Sequence, residues 1–225
     1  MKDVLIDYVP DVPAVMRNTF GKMFLGLLLT AITAFGMLAV EPLKTFMVSH
    51  MWIVWILFIV EFIMVVVLSA RIEKLKSTTA SLLFYGYSIL NGITLAPVFL
   101  IYTHSNVAMA FVISAVMFGA MALFGYLTKH DLSSWGSYLF MALIGLIIAL
   151  LASLFFHSTV VDLIISCVAV IVFVRLTAWD TQQIKEMAET KELEPSKIAT
   201  YGALSLYLDF INLFLHVLRI LTNTK

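Results

Sequence analysis

The chain has 225 residues, of which 62% are hydrophobic and 12% are charged, against roughly 45–50% and about 25% in an ordinary soluble domain. This composition excludes a soluble globular enzyme and a disordered chain, and the net charge of zero predicts no nucleic-acid partner. The single cysteine, Cys167, excludes a disulfide framework as well. The class that remains for so apolar a chain is a polytopic membrane protein.

Seven apolar runs follow one another along the chain, each long enough to cross a hydrocarbon core of roughly 30 Å as a helix. Lipid offers no partners for unpaired backbone groups, and the runs lack the alternation of barrel strands, so we predict an all-α membrane protein. The runs occupy residues 23–40, 51–70, 80–102, 107–128, 133–156, 160–179 and 201–221. We expect a cytoplasmic N-terminal tail at 1–22, a single seven-helix domain at 23–221 and a short external tail at 222–225.

The basic residues are distributed unevenly between the two sides of this predicted topology. Eleven of the fourteen Lys and Arg residues fall on the side of the amino terminus, and three fall on the other side. Because Lys and Arg are enriched in cytoplasmic loops, we expect the amino terminus in the cytoplasm and the carboxyl terminus outside.

The largest polar segment lies between the sixth and seventh runs and reads TQQIKEMAETKELEPSKIAT. Ile184, Met187 and Ala188 recur at helical spacing among charged residues, which predicts a short cytoplasmic extension of the sixth helix that ends before Pro195. A solvated charged hairpin and a surface that binds another membrane protein both remain open for this segment.

Ionisable residues inside membrane spans are rare and costly, so each requires an explanation. Glu61 lies in the middle of the second run and could be a proton carrier, an ion ligand or a protonated carboxyl bonded to a neighbour. Arg175 lies near the inner end of the sixth run, where we expect it to extend to the interface over Trp179. Asp180 and Arg71 lie at the cytoplasmic ends of the sixth and second runs.

The seventh run carries a polar stripe along one helical face. A helix that faced lipid would not carry such a stripe, so this face is predicted to point into the bundle. The stripe is either a water- or ion-accessible path or a set of interhelical hydrogen bonds. It consists of Tyr201, Ser205, Asp209, Asn212, His216 and Arg219.

The third run also contains polar residues, in the stretch SILNGITLAPVF. Pro97 removes a backbone donor within this helix and Gly92 allows it to bend. A kink here would either expose carbonyl oxygens to a cavity or merely improve packing.

Three stretches of the chain resemble the Bax inhibitor-1 family of seven-span membrane proteins. They read LSLYLDFINLFLHVLRIL, LTAWDTQQIKE and NGITLAP, and the similarity extends from about Arg17 to the end of the seventh run. The chain ends soon after that run without the basic tail of many eukaryotic members, so it resembles the bacterial branch. The resemblance implies a fold in which six helices wrap a central seventh, in the cytoplasmic (inner) membrane of a bacterium.

The resemblance also implies site residues and a function. Asp180 and Asp209 match a proton-sensitive aspartate pair that governs a Ca²⁺ leak, and they would form a weak Ca²⁺ site. Arg71 matches the closing partner of that pair, and Glu61 matches an intramembrane acid near the path. Arg175 departs from the family pattern and could compete for either aspartate. The polar stripe residues Ser205, Asn212 and His216 would line the central helix.

The two aspartates are not close in the topology that the apolar runs define. Asp209 lies nine residues beyond Thr200, about 14 Å deeper at 1.5 Å per residue, whereas Asp180 directly follows the sixth run. They can meet only if the seventh helix begins near Pro195 or the sixth is drawn inward.

We expect a pH-sensitive Ca²⁺ leak channel, with Ca²⁺ as the transported ion, H⁺ as the regulator, membrane lipid as the surroundings and no cofactor. A proton-coupled Ca²⁺ or cation exchanger that also uses Glu61 is one alternative. A non-transporting regulator of a membrane protease or of a stress response, bound to a membrane protein partner, is another. An enzyme is not expected. An intramembrane protease in particular is disfavoured, since neither GxGD nor HExxH occurs in the chain.

Overall fold

A computed structural model describes residues 11–156, 158–190 and 193–223 of the chain. Within these ranges the structure consists of helices and short connections without any strand. Lys2, Lys191 and Lys225, which contribute to the predicted orientation, lie outside the described residues. The helices are α1 (Val12–Ala39), α2 (Glu41–Ser49), α3 (Met51–Arg71), α4 (Ser77–Ile101), α5 (His104–Leu127), α6 (Trp135–Phe156), α7 (Thr159–Thr190) and α8 (Pro195–Asn223).

Seven of these helices are long and apolar enough to cross a membrane, which confirms the predicted fold class. The exception is α2, a helix of nine residues that the apolar runs did not predict because it is too short and too polar to span. It connects the first span, α1, to the second, α3.

Several helices extend beyond the apolar runs that predicted them. α1 begins at Val12, where the Asp11 side chain accepts a hydrogen bond from the backbone amide of Ala14, so residues 12–22 are helical. α7 continues to Thr190, as the spacing of its apolar residues predicted. α8 begins at Pro195, because proline is well suited to the first position of a helix.

The last helix lies at the centre of the bundle. In the apolar 18-residue stretch of α8, 61% of the residues are buried, whereas the corresponding share in the other spans is 11% to 44%. α8 packs against α1, α3, α4, α5 and α7, and α6 joins the bundle mainly by packing against α7. The predicted arrangement of six helices around a central seventh is therefore confirmed.

Two glycines allow the helices around α8 to approach one another closely. A side chain at Gly125 in α5 would overlap the backbone carbonyl of Ala178 in α7, and one at Gly92 in α4 would lie 2.6 Å from the Thr30 carbonyl oxygen in α1. Small residues at such crossings are the usual means by which membrane helices pack tightly.

We call the two ends of the bundle the basic end and the far end. At the basic end α1, α4, α6 and α8 begin and α3, α5 and α7 end. The described cations on this side of the predicted topology are Arg17, Lys22, Arg71, Lys74, Lys76, Lys129, Arg175, Lys185 and Lys197. The extension of α7 at this end packs its apolar residues inside the chain: Ile184 is 1% exposed and Ala188 is 4% exposed.

Candidate ion site between α7 and α8

Asp180 in α7 and Asp209 in α8 face each other at the interface of the two helices. Their carboxyl groups lie within hydrogen-bonding reach of one another. Asp209 is 4% exposed, and Asp180 keeps part of its surface accessible. The structure thus brings together the two acids that the family resemblance pairs.

One oxygen of this acid pair is not satisfied by the protein. The Asp209 Oδ2 atom is buried, and the described residues provide it with no hydrogen-bond donor. A buried carboxylate without donors is strongly disfavoured, so this oxygen needs a proton, a water molecule or a cation.

Ser205 links the pair to the polar stripe of α8. Its hydroxyl donates to Asp180 Oδ2 at 2.6 Å, one helical turn before Asp209. Asp180 thus has a hydroxyl donor, whereas Asp209 Oδ2 has no donor among the described residues. The local geometry therefore places Asp180 and Asp209 in unequal surroundings.

The aspartates meet because both helices are longer than their apolar runs. Asp180 lies ten residues before the end of α7, and Asp209 lies fourteen residues after the start of α8, which corresponds to about 15 Å and about 21 Å of helix. The start of α8 at Pro195 was one of the two conditions under which the pair could form.

The rest of the polar stripe faces α7 or bonds within α8. His216 is buried, with Nδ1 3.4 Å from the Ser166 hydroxyl, and its ring stacks against Phe173 at a centroid distance of 6.1 Å. Asn212 donates from Nδ2 to the Leu208 carbonyl of its own helix at 2.8 Å. Beyond Asp209, toward the far end, the interface is thus filled by His216 and Phe173.

Arg71, the predicted closing partner, is not at the aspartate pair. Its side chain is exposed at the end of α3. Among the residues that the structure describes, no salt bridge joins it to Asp180 or Asp209. The backbone carbonyl of Arg71 accepts hydrogen bonds from Lys74 and Leu75 in the turn that follows.

Arg175 is also remote from the pair, because it lies on another face of α7. Its guanidinium lies over the ring of Trp135, 5.9 Å from the ring centroid, so the expected stacking over Trp179 is wrong. The Trp179 ring instead packs against Gly136 at the start of α6. The exposed Arg175 side chain thus interacts with α6 rather than with either aspartate.

Glu61 lies in a second polar cluster, on the side of α8 that faces α3 and α4. It is 5% exposed and accepts hydrogen bonds from Asn91 Nδ2 at 3.1 Å and from the Thr94 hydroxyl at 2.8 Å. The Thr94 hydroxyl also lies 3.0 Å from the Asn91 carbonyl, and it has only one hydrogen to donate. Each carboxyl oxygen of Glu61 thus lies within hydrogen-bonding distance of a donor from α4.

Tyr207 joins this cluster to α1 and was not singled out from the sequence. It is fully buried, its hydroxyl donates to Asn91 Oδ1 at 2.9 Å, and it lies 2.6 Å from the Thr30 hydroxyl. The polar residues of the third run thus satisfy Glu61 and Tyr207, and α4 continues as a helix through Pro97. We call Glu61, Asn91, Thr94, Tyr207 and Thr30 the glutamate cluster.

Neither polar site is a ready-made high-affinity metal centre. The described residues contain no group of three or more His, Cys, Asp or Glu side chains that could hold a metal ion. Because Ca²⁺ takes six to eight oxygen ligands, two aspartates can provide only part of its coordination.

Comparison with known proteins gives consistent matches along nearly the whole chain. The family model described as "Inhibitor of apoptosis-promoting Bax1" matches residues 12–225. The Escherichia coli (strain K12) inner membrane protein YbhL is 42% identical over 215 residues, which cover 93% of this chain and 92% of that protein. A Borreliella burgdorferi protein is 38% identical over 209 residues (92% and 90%), and a Rickettsia prowazekii protein is 39% identical over 213 (93% and 89%).

Proposed function

The chain belongs to the Bax inhibitor-1 family of membrane proteins, and we propose that it is a pH-sensitive Ca²⁺ leak channel rather than an enzyme. The observation that carries this proposal is the contact between Asp180 and Asp209, in which Asp209 Oδ2 is buried with no donor among the residues that the structure describes. Such an oxygen is where a proton and a cation would compete.

The competition follows from elementary electrostatics. Two carboxyl groups in contact at low dielectric cannot both ionise cheaply, so they titrate as a unit. When the pair holds a proton, it has little attraction for a divalent cation. When it loses that proton, its oxygens attract Ca²⁺, a hard cation, and the incomplete coordination lets the ion leave again.

The surroundings of the aspartate pair favour entry of ions from the basic end. Asp180 and Ser205 keep part of their surface accessible, as do Gln183 and Tyr201 near that end, whereas Phe173 and His216 are buried on the other side. We propose that this state is closed toward the far end. Arg71 would act as the closing partner only after the end of α3 has moved toward the pair.

We further propose that the basic end faces the cytoplasm of a bacterial cell, within the inner membrane. The distribution of Lys and Arg supports this orientation, and the E. coli relative is named as an inner membrane protein. Under this orientation Asp180 is reached from the cytoplasm.

A second candidate function, proton-coupled exchange of Ca²⁺ or another cation, is favoured by the glutamate cluster. Glu61 provides a third acid, which is buried on a different side of α8 and is hydrogen-bonded to Asn91, which in turn accepts from Tyr207. An exchanger needs a protonatable group that changes partner during transport, and Glu61 has the position for it. A leak needs only the aspartate pair.

The test is Ca²⁺ flux into liposomes that contain the purified protein, measured across a pH series. Asp180→Asn and Asp209→Asn should abolish the pH response, and H⁺ counterflow in proportion to Ca²⁺ would favour the exchanger. Asp131→Asn is the matched control, because Asp131 lies in the loop before α6 and outside the aspartate pair. The side chain and the backbone amide of Ser133 hydrogen-bond to Asp131 and lower its pKa. A partner that co-purifies with wild type and with Asp209→Asn, without flux from either, would favour the regulator.

A further inference from the structure

An apolar cleft opens on the side of the bundle between α1 and α5. Both α1 and α5 pack against α8, and the cleft lies between α1 and α5 on the surface of α8. Its volume is about 440 Å³, within the range of sites that hold a small molecule. We call it the lateral cleft.

The floor of the lateral cleft is formed by the central helix. Phe210, Ile211 and Phe214 of α8 are all buried there, beside Leu95 of α4. The Thr30 hydroxyl, which lines the floor from α1, is already bonded within the glutamate cluster. The floor therefore presents carbon atoms and almost no free polar group.

The rim of the cleft is continuous with the surface that faces the bilayer. Phe35 of α1 is 51% exposed, and Phe111 and Val112 of α5 are 49% and 59% exposed. In a membrane protein such apolar side chains contact hydrocarbon, so the mouth of the cleft opens into lipid rather than into water. No Asp, Glu, Lys or Arg of the described residues lines the cleft.

The long axis of the cleft runs parallel to the helices, from the far end inward. On α5 the lining extends from His104, the first residue of the helix, to Val112, and on α1 it extends from Phe35 back to Leu27. Each wall spans nine residues, a rise of about 12 Å along the helix axis. His104, the one titratable side chain in the described lining, therefore lies at the end of the cleft nearest the membrane surface. The rest of the lining, deeper in the membrane, is apolar apart from Thr30.

From this geometry we propose that the lateral cleft holds one acyl chain of a phospholipid from the leaflet at the far end. The headgroup lies near His104 and the chain runs inward over Phe214 and Phe210. The bilayer supplies this occupant at high concentration, and burial of its methylene groups against carbon removes a void beside the central helix.

A bound chain would contact the central helix next to the acid pair. Phe210 directly follows Asp209, and Thr30 reaches Tyr207 across the floor. The lipid therefore acts as part of the packing that holds α1 and α5 on α8. This inference depends on the membrane location of the chain and not on the Ca²⁺ leak.

The test compares phospholipid retained by the purified protein in detergent, measured by native mass spectrometry. Ala108 on the α5 wall and Ala31 on the α1 wall both line the cleft, so Ala108→Phe and Ala31→Phe each fill it. Ala120 on α5 is exposed outside the cleft, and Ala120→Phe adds the same bulk there as a control. We expect close to one phospholipid per wild-type chain, a several-fold loss in both filling variants and no loss in the control.

Different results would overturn the proposal. Retention of phospholipid by both filling variants, or an equal loss from the Ala120→Phe control, would show that the lipid binds elsewhere. Free fatty acid or detergent alone in the wild-type protein would contradict a phospholipid occupant. A second readout is thermal stability: added phospholipid should raise the melting temperature of wild type and of the control more than that of the filling variants.

Discussion

Ser205 in α8 donates a hydrogen bond of 2.6 Å to Asp180 in α7, and the carboxyl of Asp209, one turn further along α8, reaches the same aspartate. Asp180 thus has two polar neighbours on α8, a hydroxyl that donates to it and a second carboxyl group. Both contacts come from one face of α8, so single substitutions on that helix can remove either of them.

Removal of the Ser205 hydroxyl should move the pH response of the protein. In Ser205→Ala the Asp180 carboxylate loses a donor, so protonation should occur at higher pH. A hydrogen bond to a charged group contributes about 1.5–3 kcal/mol, which corresponds to a shift of about one pH unit or more. The measurement is the pH midpoint of Ca²⁺ flux in liposomes. Ser205→Thr keeps a hydroxyl and should keep the midpoint; equal midpoints in Ser205→Ala and wild type would refute the role of this hydrogen bond.

The crossing of α5 and α7 should not tolerate a larger residue at Gly125. Gly125→Ala places a methyl group against the Ala178 carbonyl, and overpacking of this kind costs about 1–3 kcal/mol. We expect a melting temperature several degrees lower in detergent. A methyl group at Gly119 on the same helix would meet no described atom within 4 Å, so Gly119→Ala should leave stability unchanged or slightly higher. A similar effect of both substitutions would contradict the close approach.

Tyr207 should contribute to stability rather than to the pH response. Tyr207→Phe leaves Asn91 Oδ1 without its donor inside the bundle, at a cost of about 1–3 kcal/mol. Thermal unfolding should therefore shift downward, while the pH midpoint of flux stays unchanged because Tyr207 faces α1 and α4. Tyr138 is 70% exposed and serves as the control, through Tyr138→Phe. A shifted midpoint in Tyr207→Phe would link the glutamate cluster to the acid pair.

Glu61 separates the two transport mechanisms. If the protein is a leak, Glu61→Gln should retain pH-dependent Ca²⁺ flux, because the aspartate pair remains intact. If it is an exchanger, the same substitution should abolish H⁺ counterflow and slow Ca²⁺ uptake together. Simultaneous recording of internal Ca²⁺ and internal pH in liposomes distinguishes these outcomes.

The sequence predicted the seven spans because each needed only one property, an apolar run of sufficient length. The stripe on the last run predicted that this face of the helix points into the bundle, and the family resemblance implied that the helix is central. The ends of the helices were harder to predict. α8 begins at Pro195, six residues before its apolar run, in a segment whose composition is that of a loop.

The contacts of individual polar residues depended on neighbours that are distant in the chain. Asn91 and Thr94 were recognised as polar residues in an apolar helix, but their acceptor, Glu61, comes from α3 and their link to Thr30 runs through Tyr207 of α8. Arg175 lies over Trp135, on α6, because the helical twist separates it from Asp180. Nothing in the sequence around Asn91, Thr94 or Arg175 indicates these partners.

The most direct test of the central claim is the pH dependence of Ca²⁺ flux through Asp209→Asn in liposomes, beside wild type and Asp131→Asn. We predict that flux through wild type and Asp131→Asn changes with pH around a common midpoint, and that flux through Asp209→Asn does not respond to pH. A wild-type pH response with an unchanged midpoint in Asp209→Asn would contradict the assignment of the aspartate pair as the proton-sensitive site.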